Sequence, residues 1–124
     1  MTRTRQITIG FALGRVAFGA GLLGPPRALA TRWLGPDAER PAMQAAVRGL
    51  AARDIAIALG AVEATLRSGS ARPWLFAAAA CDLCDVAATL AAGSALPPRA
   101  RTGTVALAGL SAVTAAALAL TEDR

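Results

Sequence analysis

The chain contains no lysine, histidine, tyrosine or asparagine, and all 13 of its cationic side chains are arginine. Without imidazole there is no histidine acid–base catalysis and no histidine-ligated zinc. Without a phenol there is no tyrosine acid or base. Two cysteines in 124 residues cannot build a disulfide framework, which excludes a small stapled secreted scaffold. Charge is also scarce, at 17% of residues against about 25% in an ordinary soluble domain. What fills the space is apolar: 55% of the chain, with alanine alone at 33 positions. At this length the residues suffice for one domain.

The formal net charge of +5 invites a nucleic-acid reading. A nucleic-acid binder gathers its cations on one face, with aromatics among them for stacking. Here the arginines stand singly or in pairs at the ends of apolar runs, and aromatics are 4% of the chain. Arginines so placed mark loop orientation across a bilayer and pair with acidic headgroups. The expected partner is lipid, not nucleic acid.

Four apolar runs organise the chain, at about 7–23, 41–66, 73–92 and 103–120. At about 1.5 Å per residue they extend roughly 25 to 39 Å, against a hydrocarbon core of about 30 Å. The breakers Gly24-Pro25-Pro26, Gly35-Pro36, Ser68-Gly69-Ser70 and Pro97-Pro98 separate them. The runs lack the period-2 alternation of strands. An all-α, four-transmembrane-helix bundle is therefore expected, in a single membrane domain over residues 1–124. A soluble bundle needs a polar face on each helix. The run from Gly103 to Leu120 offers only threonine and serine as polar groups. Arg3, Arg5 and the later Ala28-Leu29-Ala30 loosely imitate a cleaved signal peptide, but Arg15 within the apolar stretch and the double proline argue against cleavage.

Between the first two runs, residues 26–34 place Leu29, Ala30, Trp33 and Leu34 on one side and Arg27, Thr31 and Arg32 on the other. That pattern fits a short amphipathic helix on the membrane surface, with the indole at headgroup depth. Trp74 opens the third run as a second interfacial anchor. Four spans put both termini on one side. Arginine numbers tie between the sides, and the first-span rule then favours a cytoplasmic N-terminus in a multi-pass plasma-membrane protein.

Helices in lipid associate through close backbone approach and polar contacts. Small residues recur every four positions at Gly10 and Gly14; at Ala52, Ala56, Gly60 and Ala64; at Ala80, Cys84, Ala88 and Ala92; and at Ala108, Ala112 and Ala116. Each series is expected to form a groove for a neighbour. The charges inside the runs are more informative. Arg15 lies mid-way in the first, Arg48, Arg53 and Asp54 in the second, and Asp82 and Asp85 in the third. Each such group costs roughly 2.5–3.5 kcal/mol at mid-bilayer on insertion scales, so they must neutralise one another or line water. The expectation is a buried cluster in which Arg15 and Arg53 meet Asp82 and Asp85, with Asp54 completing it. Arg48, nearer the surface, is long enough to snorkel. Glu63 and Arg67 form an i,i+4 pair. The cluster either locks the helices in register or lines a polar pocket or pathway.

Cys81-Asp82-Leu83-Cys84 carries a Cys-x-x-Cys spacing, the pattern of a redox pair. The second cysteine pair that a membrane thiol relay uses is missing. Two small apolar side chains in a helix interface are the plainer reading of Cys81 and Cys84. No metal or cofactor is expected.

Gly14-Arg15 in the first run, its tail through Leu22 and Pro25, Trp33-Leu34-Gly35, Arg53-Asp54 in the second run and Asp82-x-x-Asp85 in the third occur in one order over nearly the whole chain. Together they resemble small four-helix integral membrane proteins of unknown function from high-GC actinobacteria. The resemblance implies four membrane helices and no catalytic residues. In size and layout the chain is also similar to DoxX-like proteins. The expected role is non-enzymatic: a structural or accessory subunit of an envelope complex, with a partner protein or a second copy as its contact. A small transporter, channel or ligand-binding bundle built on the charged cluster is the alternative, and a thiol oxidoreductase the third.

Overall fold

The computed structural model describes residues 1–24 and 28–122, and every regular element among them is helical. Helix α1 covers Arg3–Leu23, α2 Ala28–Leu34, α3 Pro41–Leu66, α4 Arg72–Ala92 and α5 Pro98–Thr121, with 3-10 turns over Gly35–Glu39 and Gly93–Ala95. The helices start further out than the apolar runs, because caps and prolines rather than hydrophobicity fix their ends. Thr2 accepts a hydrogen bond from the Arg5 amide at 3.3 Å and begins α1. Prolines in the first turns of α3, α4 and α5 cost no hydrogen bond there. Gly35 and Gly93 sit at φ +63° and +53°, a backbone region open to glycine at little cost. Helix α2, where the sequence predicts a surface helix, starts at Ala28; Pro26 and Arg27, expected within it, lie outside the described residues.

The long helices form an antiparallel sequence of neighbours. Helix α1 packs along α3, α3 meets α4, and α4 packs along α5, whereas α1 and α5 meet only sparingly. At one end, Arg5 donates to the Thr65 carbonyl. There the Glu122 carboxylate also accepts from the Ala71 and Arg72 amides at 2.6 and 2.9 Å and from Ser70 at 2.8 Å, so the chain's last described residue caps the start of α4. At the other end, Ala30 and Leu34 of α2 join Leu22, Val47 and Ala51 in one apolar cluster.

Among the described residues, three helices are long and apolar enough to cross a membrane: α1, α4 with its following turn, and α5. The expected fourth, α3, has 26 residues, enough length, but carries Arg48, Arg53, Asp54 and Glu63. The distribution of size is inverted relative to a soluble domain. The buried apolar side chains are mostly alanine, and Leu75 is the largest that is almost wholly covered. Leu83, Leu90, Leu107, Leu110, Val113 and Leu120 are all more than half exposed. Large apolar groups outside and small ones inside suit a hydrocarbon surround, where close backbone approach rather than water expulsion drives packing.

The small-residue series pack unevenly: in the second, Gly60 is covered by a neighbour, and in the fourth Ala112 is buried with Ala108 and Ala116 half-buried, whereas the first and third face outward. Gly10 and Gly14 have nothing within 4 Å of a notional Cβ, so they open onto space and make no groove for a neighbour. Ala52 and Ala56 are exposed, as are Ala80, Cys84, Ala88 and Ala92. The face of α3 that packs is Val47, Ala51, Asp54, Ala58, Ala61 and Thr65. On an alanine-rich helix a four-residue series exists on every side, and the partner decides which one is used. Three glycines mark close contacts, the loosest of them Gly21, where a Cβ would lie 2.9 Å from the Leu29 side chain of α2. A Cβ on Gly60 would fall 2.5 Å from the Trp74 ring, and one on Gly19 would lie 2.7 Å from Ile55 and 3.1 Å from the Ala51 carbonyl oxygen. Trp74 is thus laid over Gly60 while remaining 41% exposed.

Gly19→Val should lower stability by about 1–3 kcal/mol, because overpacking pushes α1 off α3. Gly109→Ala, with free space around it, should raise stability by about 0.5–1 kcal/mol through helix propensity alone. Thermal unfolding in detergent followed by circular dichroism checks the pair; equal effects of one sign would contradict the packing described.

Candidate functional site

Arg15 organises the interior. From the middle of α1 its Nη1 donates to Asp82 Oδ2 on α4 at 2.6 Å and to Ser111 Oγ on α5 at 2.8 Å, and its Nη2 reaches Asp54 Oδ1 on α3 at 3.3 Å. One side chain therefore touches each of the other three long helices. Phe11, one turn earlier, places its ring centroid 6.0 Å from the guanidinium carbon, at the outer range of a cation–π contact. Arg53 extends the network outward. It donates to Asp54 Oδ1 through Nη2 at 3.0 Å and Nε at 3.2 Å, and forks onto Asp85 through Nη2 at 2.8 Å and Nη1 at 3.3 Å. Asp54 Oδ1 is thus shared by both arginines.

The order is Asp82–Arg15–Asp54–Arg53–Asp85, and it runs from the inside to the edge. The side chains of Arg15, Asp54 and Asp82 are 10%, 9% and 6% exposed, those of Arg53 and Asp85 32% and 23%. The pairing differs in detail from the expectation: Asp54 is the central bridge between the arginines. Arg48, counted among the candidates for the cluster but read as nearer the surface, stands outside it and is exposed; it lies one helical face away from Asp54, beside Gln44 and Val47 at the α2 end. With Arg48 absent, two guanidinium groups face three carboxylates, and the network carries a formal surplus of one negative charge.

A cleft of about 790 Å³ lies where α1 and α5 fail to close. Arg15, Asp54, Asp82 and Asp85 form its floor. Gly10, Gly14 and Phe18 line it from α1, Gly103, Thr104 and Leu107 from α5, and α2 contributes Leu29, Arg32 and Trp33 at one end. The walls are almost wholly apolar. The space is of the size that holds a drug-sized molecule. Sequence reasoning missed Ser111 and the cleft. A signal existed: Thr104, Ser111 and Thr114, at spacings of seven and three, lie on one side of α5, and all line the cleft.

Glu63 and Arg67 pair at 3.2 Å in the open. Cys81 is half-buried and Cys84 exposed, both as free thiols, and neither lines the cleft. No group of side chains suited to a metal occurs among the described residues. Comparison with family models, with curated proteins and with solved structures yields no match. The site's chemistry therefore rests on its own geometry.

Removing the guanidinium of Arg15 leaves Asp82 without its charge partner in a site that water hardly reaches. Arg15→Gln should cost about 3–5 kcal/mol, the usual penalty for breaking a buried pair. Adding Asp82→Asn should recover part of that loss, since the stranded charge is then gone. A double-mutant cycle on unfolding in detergent measures both; strictly additive losses would separate Arg15 from Asp82.

Proposed function

We propose that the chain is a four-span integral membrane protein that binds a lipid-phase ligand in the cleft between α1 and α5, with the charge network as its rigid floor. The observation that carries this reading is the combination of a large apolar-walled opening with a buried, multiply hydrogen-bonded polar floor. A bundle that served only to dock on a larger complex would need the network as a lock, but would have no use for an open side above it. The accessory-subunit role draws on no comparable feature.

The fourth crossing belongs to α3. The two charges at its middle are the ones the bundle absorbs: Asp54 is buried, and Arg53 is tied to Asp54 and Asp85. With those groups paired, the desolvation that excludes α3 as an isolated span is largely offset. Its partners α1 and α4 run antiparallel to it over its length, which supports a common depth in the bilayer. Both termini then share one face, and the first-span rule favours the cytoplasmic one. In a background lacking the native cysteines, Arg67→Cys and Arg40→Cys at opposite ends of α3 should react with an impermeant maleimide from opposite sides of sealed vesicles. Reaction from one side alone would remove the fourth span.

Mass spectrometry of protein released gently from native membranes tests the ligand. The wild-type chain should carry an added mass of lipid-like size. Gly103→Phe should lack it, because the new ring projects into the cleft from a position with nothing within 4 Å. Identical spectra from the two proteins would sink the binding role.

A further inference from the structure

Hydrocarbon and protein interiors both penalise a polar group left without a partner. Among the described residues, two buried side-chain nitrogens have none: Arg15 Nε and Trp33 Nε1. They come from different helices, α1 and α2, yet both residues line the same cleft. Arg15 spends its two terminal nitrogens on Asp82, Ser111 and Asp54, which leaves its inner N–H unanswered. Trp33 packs against the apolar cluster of Leu22, Ala30 and Leu34, which offers its indole no acceptor. A buried indole N–H is also out of reach of the headgroup water expected for a surface tryptophan. Both groups are obligatory donors with no acceptor capacity, so what is missing on each is an oxygen.

The charge balance narrows what can bring that oxygen. Arg32 at the α2 end of the cleft offsets the network's surplus carboxylate, so three guanidinium groups stand against three carboxylates and the cleft is formally neutral. A charged head, such as a fatty-acid carboxylate, would give up its hydration there with no net charge to meet it. The apolar walls, with Phe11, Phe18 and Leu22 facing Leu107 and Leu110, ask for a hydrocarbon body. Gly10, Gly14 and Gly103 leave open space there, where any larger residue would intrude.

We propose that the cleft binds a neutral lipid bearing carbonyl oxygens, either acyl esters or ring ketones, which accept from the donors that Arg15 and Trp33 leave unpaired. This rests on the ligand-binding reading and specifies its chemistry. Both nitrogens are buried although their residues line the cleft, so the ligand gains its hydrogen bonds only with a side-chain adjustment. That adjustment costs less than keeping two donors unpaired.

The test uses the full chain in dodecyl maltoside, a detergent without a carbonyl group, and isothermal calorimetry. The probes are dioctanoylglycerol, its dioctyl ether analogue, a decyl-substituted benzoquinone, decanoate and dodecyltrimethylammonium. At least one of the two carbonyl probes should bind at least about threefold more tightly than the ether, the difference one neutral hydrogen bond makes. Which one does so identifies ester or ketone as the source. Trp33→Phe, which keeps an aromatic ring and removes the N–H, should shrink that preference, and Gly103→Phe should abolish binding of every probe. The proposal is overturned if the ether matches both carbonyl probes, if decanoate or the ammonium binds more tightly than either, or if Trp33→Phe leaves the preference intact. In each of those cases binding that Gly103→Phe abolishes would still uphold the cleft as a ligand site. Absence of binding by all five probes would take down both readings together.

Discussion

A guanidinium ion in a medium of low dielectric cannot remain unpaired, and in this fold that constraint falls on Arg15. Its partners lie on α3, α4 and α5, so satisfying one side chain fixes the height and rotation of three helices relative to the fourth. An alanine core does not supply such instructions. Small, smooth side chains let helices slide and turn past one another at little cost, and burying them releases little free energy per residue. Register has to come from directional contacts, and a shared carboxylate such as Asp54 is directional. The role fits the best-attested use of buried charge, which is specification of one arrangement rather than net stabilisation. Placing three carboxylates among two arginines keeps each charged group within hydrogen-bonding reach of an opposite one.

The layers on either side of the network follow from it. Toward the chain termini, Ala12, Ala58, Ala61, Leu75 and Leu118 form one apolar cluster; toward α2, Leu22, Leu34, Val47 and Ala51 form another. The charges occupy the level between. One end is then closed by polar means, Glu122 on the amides of α4 and Arg5 on the α3 carbonyl, and the other by apolar packing of α2 and its following turn, where Gly35 comes close to Pro97. The middle of the bundle is thus held by ion pairs, one end by caps and the other by apolar packing, while the large side chains face outward.

Much of this was legible in the residues and some was not, for a physical reason. Helix type and the positions of the breaks are local properties, so the runs and their prolines give them to within a few residues. The charged positions also announce themselves, since arginine and aspartate inside apolar runs require partners. That Arg15, Arg53, Asp54, Asp82 and Asp85 share one network follows from counting charges and spans. Which carboxylate is shared does not follow, because it depends on helix rotation. Arg48 illustrates the limit: six residues before Asp54, it sits on a different face of the same helix, and its exposure is set by where α1 and α2 lie. The facing of Gly10 and Gly14 failed for a similar reason, because every side of an alanine-rich helix offers a small-residue series. The cleft is the least legible feature. It arises from contacts that α1 and α5 do not make, and no residue encodes an absence. Only the hydroxyl stripe of Thr104, Ser111 and Thr114 hints that one side of α5 faces something polar.

The coexistence of a tight network and an open side has its own logic. In water, an apolar gap between two helices would collapse, since closing it removes apolar surface from solvent. In a bilayer, acyl chains wet that surface as well as leucine does, so the drive to close is largely lost. The width of the opening is then set by the neighbours that place α5, chiefly α4 along its length and α2 at one end. Across the opening itself the hydrogen bond from Arg15 to Ser111 at 2.8 Å adds a polar tie. A charge-assisted bond of that kind is worth roughly 1.5–3 kcal/mol, which supports the spacing that the α4 interface sets.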